Sequence, residues 1–405
     1  MSILHQMEKQ KLDIKTKREL LIIGVILIGA NLRAPITSVG PLLSSIRDSL
    51  GISNTLAGTI TTVPLLTFAF LSPFAPKLTR RFSIEFTLFI SLILLIVGIG
   101  IRSFGEVGTL FIGTVLIGSS IAIGNVLLPS LIKHNFAQNI GMMTGIYAVS
   151  MNLFGAIGSG ISIPISSFSG LGWSGALGCW GILSLLTIFF WLSQLRNCHK
   201  SMDFLQTEKK INSINLWRSK LAWNVTLFMG AQSLIFYTVI AWLPEILESK
   251  GLGINEGGWM LSLMQLSMLP VTFIVSILAG RLGKQHVLVI VSVTLLMAGL
   301  FGILYGGPLL IPLWIIMIGV GVGVAFSLAM MFFSLRTKNI HEAAELSGMA
   351  QSLGYLLAAI GPILFGWLHD ITHNWTTPLL MLIFTSIIIF ITGMSAGKNV
   401  YVTSK

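Results

Sequence analysis

"SLIKHNFAQNIGMMTGIYAVSMNLFGAIGSG" (residues 130–160) and "FSLRTKNIHEAAELSGMAQSLGYLLAAIGPI" (residues 333–363) lie 203 positions apart and repeat one another. Lys133 falls on Arg336, Gly145 on Gly348, and Ala-Ile-Gly recurs in register, with Gly158 over Gly361. Nearer the start of each half, "GAN" (29–31) falls on "GAQ" (230–232) at a shift of 201. The loops "APKLTRR" (75–81) and "AGRLGKQ" (279–285) are both basic. Repetition at this period implies a chain built as two like halves.

The solvent of those halves follows from composition. Of 405 residues 54% are hydrophobic and 10% charged, and the mean hydropathy is +0.88. A soluble domain carries about 25% charged residues, so this chain has too little charge to cover a water-facing surface and must use lipid. Apolar windows long enough to cross about 30 Å of hydrocarbon fall at 20–46, 55–75, 85–102, 108–133, 140–165 and 172–195. They resume at 220–246, 257–279, 286–305, 309–335, 343–368 and 376–397. Backbone facing lipid must satisfy its own hydrogen bonds, so each window is a helix. The expected fold is an all-α membrane protein of twelve spans. Residues 1–19 form a cytoplasmic segment with no cleaved signal, and 20–195 a first six-helix bundle. The polar linker is 196–219, "RNCHKSMDFLQTEKKINSINLWRS", and 220–405 a second bundle with a short cytoplasmic tail.

The basic residues set the orientation. With both termini inside, all but four of the 25 lysines and arginines lie on the cytoplasmic side. Arg47, Arg102 and Lys250 fall outside, and Arg33 lies within a span. The pI near 9.8 therefore reflects basic loops along the anionic inner leaflet, with membrane lipid as the partner and no nucleic acid. Two parallel six-helix halves joined by a basic loop are the pattern of the major facilitator fold, whose halves rock about a midplane site. Cys179 and Cys198 form no framework. No nucleophile–base pair, metal-ligand cluster or Walker motif occurs. The expectation is a transporter that is not an enzyme, without cofactor or metal, working as a monomer on a small-molecule substrate.

Arg33, in "LIGANLRAPITSVGP" (27–41), sits in the middle of an apolar run. An arginine at that depth costs about 3 kcal/mol on insertion scales. Glu245, Glu345 and Asp370 sit at helix ends, so no deep carboxylate is available to pair it. An anionic ligand is the simplest partner, and the planar donor fork suits a small planar anion. Pro35 removes an N–H and disturbs the Asn31 carbonyl, giving either a kink or a cavity-lining break.

The other polar or aromatic candidates in the spans are Asn31, Asn125, Tyr147, Asn152, Gln232, Tyr237, Gln265, Gln351 and Tyr355, with Trp242 near a helix end as an interfacial anchor. Gln351 and Tyr355 are spaced i, i+4 and share a face. The repeat brings Asn152 opposite Tyr355 and pairs Asn31 with Gln232. All but Tyr147 and Trp242 are expected substrate contacts beside Arg33; interhelical hydrogen bonding is the competing role for each amide. The glycine clusters "GAIGSG" (155–160) and "GVGVG" (319–323) are expected to allow close helix packing.

"NLRAPITSVGPLL" (31–43), "AGTITTVPLLTFAFLSPFAPKLTRRF" (57–82) and "LSGMAQSLGYLLAAIGPILFGWLHDITHNW" (346–375) resemble the cyanate/nitroimidazole porter family, CynX/NimT, of the major facilitator superfamily. The resemblance covers nearly the whole chain. The family often reads "NLRPA" where this chain has Asn31-Leu32-Arg33-Ala34-Pro35, which keeps the arginine and moves the break by one residue. The superfamily's loop after the second helix usually carries an aspartate, which "KLTRRF" lacks. Pro35, Arg80, Arg81 and Arg281 are the gating candidates. The resemblance implies a secondary transporter of the bacterial plasma membrane for cyanate- or nitroimidazole-like solutes, with Arg33 as charge partner. Two alternatives remain at this point: a multidrug exporter of neutral or cationic compounds, and a non-transporting membrane receptor.

Overall fold

The computed structural model describes residues 19–195 and 216–402, apart from 53, 169, 171 and 253. The expected N-terminal segment and nearly all of the linker lie outside the described residues. Among the described residues, twelve helices are long and apolar enough to cross a membrane. They are α1 (Glu19–Leu42), α2 (Asn54–Leu71), α3 (Ile84–Arg102), α4 (Val107–Asn135), α5 (Ile140–Phe168) and α6 (Gly172–Leu195) in the first half. The second half holds α7 (Lys220–Glu248), α8 (Ile254–Arg281), α9 (His286–Tyr305), α10 (Ile311–Leu335), α11 (Ile340–Thr372) and α12 (Thr376–Ala396).

Helix ends are set locally. Ser83 caps α3 by accepting from the Phe86 N–H at 3.1 Å. Asn339 caps α11 in a reciprocal box: it accepts from the Glu342 N–H at 2.9 Å, and its amide donates to Glu342 at 3.0 Å. Such a box satisfies donors that the first helical turn leaves free. Among the described residues, α1 is interrupted within its span. The helix runs over 19–31, Leu32 and Arg33 form a turn, and helix resumes at Ala34–Thr37. Pro35 stands in the first turn of the second piece, where its missing N–H costs nothing. α6 is also divided, at Cys179.

The halves meet along α5 with α8 and α2 with α11, and α11 also packs on α4. The repeat relates the first two pairs, since α2 corresponds to α8 and α5 to α11. Their close contacts concentrate at the end of the bundle that carries the chain termini. A Cβ at Gly141 of α5 would overlap the Ser276 carbonyl oxygen of α8. A Cβ at Gly348 of α11 would stand 3.1 Å from the Ser72 carbonyl oxygen, just beyond α2. Side chains add hydrogen bonds between the halves. Lys133 Nζ at the end of α4 donates to the Ser334 carbonyl and to the Thr337 hydroxyl, both at 2.8 Å, and to the Thr337 carbonyl. Ser352 Oγ donates to the Ala69 carbonyl at 2.5 Å.

This seal differs from the one expected at the basic loops. Arg81 and Arg281 are exposed, and the Arg80 side chain lies outside the described residues. Lys133 joins the halves in their place. Its repeat partner Arg336 stays within the second half, donating to the Ala396 carbonyl at 2.8 Å and to Gln285.

Candidate functional site

The break in α1 leaves Arg33 in a non-helical conformation, with φ −123° and ψ −47°. Two glycines of "GAIGSG" make room for it. A Cβ at Gly155 would stand 2.6 Å from Arg33 Cγ, and one at Gly158 would stand 3.0 Å from the Ala34 carbonyl oxygen. Thr37 Oγ1 donates to the Gly155 carbonyl at 2.8 Å, fixing the second helical piece to α5. From the other side Arg102 Nη1 donates to the Pro35 carbonyl at 2.7 Å. The charge count assigned Arg102 to the outside; it is buried, at 1% exposure, and holds the broken helix.

Arg33 projects into a cleft between the halves. The facing wall comes from the second half: Gln232, Ser233, Phe236 and Tyr237 of α7, Met268 of α8, Val322 and Phe326 of α10, and Tyr355 of α11. The guanidinium lies over the Phe236 ring, 4.6 Å from its centroid. Such a contact contributes about 0.5–2 kcal/mol. Among the described residues no carboxylate and no hydrogen-bond acceptor engages Arg33. Its five N–H donors are therefore available to the cleft.

Aromatic rings line the approach. Tyr355 stands 5.0 Å from Phe68 of α2 and 6.3 Å from Tyr237, centroid to centroid. Tyr147, on α5, is fully buried, and its hydroxyl has no hydrogen-bond partner among the described residues. An unsatisfied buried hydroxyl costs about 1–3 kcal/mol.

The sequence-derived candidates separate on this geometry. Gln232, Tyr237 and Tyr355 line the cleft with Arg33. Gln265 is half-buried on α8, three residues from Met268 and on the same face. Gln351 is fully buried and ties the halves together, donating to the Asn125 carbonyl of α4 and to Ser347 Oγ. Asn125 thus contributes a carbonyl to that tie. Asn152 is buried on α5, outside the cleft lining, with its amide nitrogen unpartnered among the described residues.

Asn31 is a correction. Its amide donates to Thr187 Oγ1 of α6 at 2.7 Å, and its oxygen accepts from Ser184 Oγ at 2.5 Å. It faces into its own half, toward α6, while Arg33 lies in the break that follows it. Asn31→Ala is expected to lower the melting temperature in detergent by the loss of two interhelical hydrogen bonds, each about 0.6 kcal/mol. The transport KM should stay unchanged, and a raised KM would return Asn31 to the site.

Sequence reasoning missed Ser233, Phe236, Met268, Val322 and Phe326. Phe236 carried a signal: it lies four residues after Gln232, on the same helical face.

Comparison with known proteins agrees with this architecture. Residues 21–362 match the Major Facilitator Superfamily. The chain is 48% identical to the uncharacterized transporter YycB of Bacillus subtilis over 94% of each chain. It is 38% identical to the 2-nitroimidazole transporter of Escherichia coli, covering 94% of this chain and 96% of that one. It is 26% identical to the cyanate transport protein CynX of Escherichia coli, covering 88% and 91%. Among solved structures, a double tryptophan mutant of XylE superposes with a TM-score of 0.77 at 11% identity, covering 94% of each chain, a likeness of fold alone. With these matches and two six-helix halves closing around a cleft, the chain belongs to the Major Facilitator Superfamily, as a CynX/NimT-like transporter of the bacterial plasma membrane and not an enzyme.

Proposed function

We propose that the protein moves a small monovalent anion or weak acid across the membrane by alternating access, with Arg33 holding the negative charge of the solute. The observation that carries this is the state of Arg33. Among the described residues its guanidinium has an aromatic face and no acceptor. A charge kept at that depth without an internal counter-ion favours an anionic guest. Two of the relatives are named for 2-nitroimidazole and cyanate; cyanate is an anion and nitroimidazole a weak acid. Gln232 and Tyr355 supply polar contacts, while Phe236, Phe326 and Met268 supply apolar walls. With the expected orientation the sealed end is cytoplasmic.

A multidrug exporter of neutral or cationic compounds fits the site poorly, since the lone positive charge repels cations. Proteoliposomes separate the two readings. Uptake of radiolabelled cyanate should be competed by small planar anions such as nitrate and benzoate, and not by lipophilic cations such as tetraphenylphosphonium. Competition by the cation alone would overturn the anion reading.

A further inference from the structure

We propose that the ring of Phe236 stands in for the anion when the carrier is empty. The protein then resets without a solute and catalyses net transport, beyond the exchange of one anion for another. This rests on the anion reading of Arg33, which says what binds and leaves open how the unloaded protein returns.

The contact joins the two halves across the cleft. Arg33 belongs to the break in α1, and Phe236 to α7. At the shift of 201 residues Arg33 falls on Leu234, two residues before Phe236. The charge and the ring thus come from nearly equal depths of the two leading helices. Each is fixed to its own half. A Cβ at Gly155 would stand 2.6 Å from Arg33 Cγ, so α5 closes on the stem of the arginine. Phe236 is buried, and the Tyr237 ring stands at 75° to its own, 5.2 Å between centroids. The guanidinium carbon lies 4.6 Å from the Phe236 centroid, and both residues line the same cavity.

Two halves that rock about a midplane site pass through a state closed at both ends. Arg33 loses its water there, and an isolated charge out of water is costly. With an anion bound, the pair is close to neutral and the crossing is easy. Without one, a carrier whose arginine had only water to turn to would wait on one side for the next anion, and would exchange. Among the described residues no carboxylate and no hydrogen-bond acceptor relieves the charge. Phe236 offers the electron-rich face of its ring. A guanidinium stacks through its face and donates in its plane, so the ring takes nothing from the donors that the anion needs. It carries no full charge either, so it does not hold Arg33 against an incoming anion as a carboxylate would.

The test uses the purified full-length protein in liposomes loaded with radiolabelled cyanate at saturating concentration. Valinomycin and equal potassium on both sides remove the membrane potential that net anion flow would build. Efflux into cyanate-free buffer reads net transport, and efflux into unlabelled cyanate reads exchange. Their ratio is the measurement, because a loss of cyanate affinity acts in both modes. The wild type should show both. Phe236→Leu should lower the ratio of net transport to exchange by about threefold to thirtyfold, the effect of losing one cation–aromatic contact in a desolvated site. Phe236→Tyr keeps the ring face and should keep the ratio. Pentafluorophenylalanine at position 236 keeps the shape and inverts the charge distribution of the ring; it should match leucine, and it decides the matter if the leucine variant does not fold. Exchange alone in the wild type overturns the inference. So does an unchanged ratio in the leucine or the fluorinated protein, or a tyrosine variant that falls as far as leucine. In each of those cases Arg33-dependent exchange leaves the anion reading standing. If Arg33→Ala keeps cyanate exchange, or the wild type moves cyanate in neither mode, the anion reading falls and the inference with it.

Discussion

Arg33→Ala should abolish measurable transport while leaving the protein folded. Two charge-assisted hydrogen bonds from a guanidinium fork are worth about 1.5–3 kcal/mol each. At 1.4 kcal/mol per factor of ten, their loss weakens anion binding by about 100-fold or more. The fold should tolerate the change, because the guanidinium holds no other element in place: its one specific contact among the described residues is the Phe236 ring. The break in α1 is secured by other groups, namely the Arg102 bond to the Pro35 carbonyl, the Thr37 bond to Gly155, and Gly155 and Gly158 themselves. The melting temperature should therefore stay at or above the wild-type value, since an unpaired charge has been removed from a low-dielectric cleft. Arg33→Lys separates charge from geometry. Lysine keeps the charge and loses the planar fork and its stacking, so its affinity should fall between the two. Calorimetric titration of cyanate into the three proteins measures the order. Arg33→Ala transporting at the wild-type rate would falsify the assignment of the site.

The parts of this arrangement legible in the sequence share a physical basis. The twelve spans follow from apolar runs that lipid requires, and the two-half construction from a repeat with Gly145 over Gly348. Both glycines do stand at the seam between halves. Arg33 was legible because a charge in an apolar run is costly, and Pro35 because it cannot continue an intact helix. The failures arise where a pattern fixes position along the chain and not direction in space. The repeat pairs Asn31 with Gln232, yet Asn31 turns to Ser184 and Thr187 of α6 while Gln232 faces the cleft. Arg102 ends an apolar run, and a charge count assigns such a residue to water. Only the packed structure shows it reaching back to the broken helix. Phe236 and Phe326 were hidden by abundance, since a chain with 24 phenylalanines gives none of them prominence. The basic loops drew attention to Arg81 and Arg281, whereas the seal is made by Lys133 donating to the carbonyl end of a helix in the other half.

That seal carries the second large effect. Gly141→Leu should reduce transport by about 100-fold, by holding apart the end that is closed here. Overpacking a well-packed contact costs about 1–3 kcal/mol when the neighbours are side chains that yield. At Gly141 the neighbour is the backbone of α8 at Ser276 and Ile277, which yields only by separation of the halves. Moving a two-state equilibrium from 1:99 to 99:1 takes about 5.5 kcal/mol, and a leucine wedged between two backbones supplies a large share of that. The expected protein is folded, binds anion, and no longer closes on the side of the termini. Spin labels at Gln138 and Lys284, exposed in the loops of the two halves at that end, read the separation directly once Cys179 and Cys198 are replaced by serine. Their distance distribution should lengthen in Gly141→Leu. Gly348→Leu should reproduce the shift from the pseudo-symmetric seam, where the added carbon meets Ser72 and Pro76. Gly160→Leu serves as the control, since an added Cβ there meets nothing within 4 Å on the same helix. Unchanged label distances in both wedge variants, with transport intact, would mean that this seam does not have to open during the cycle.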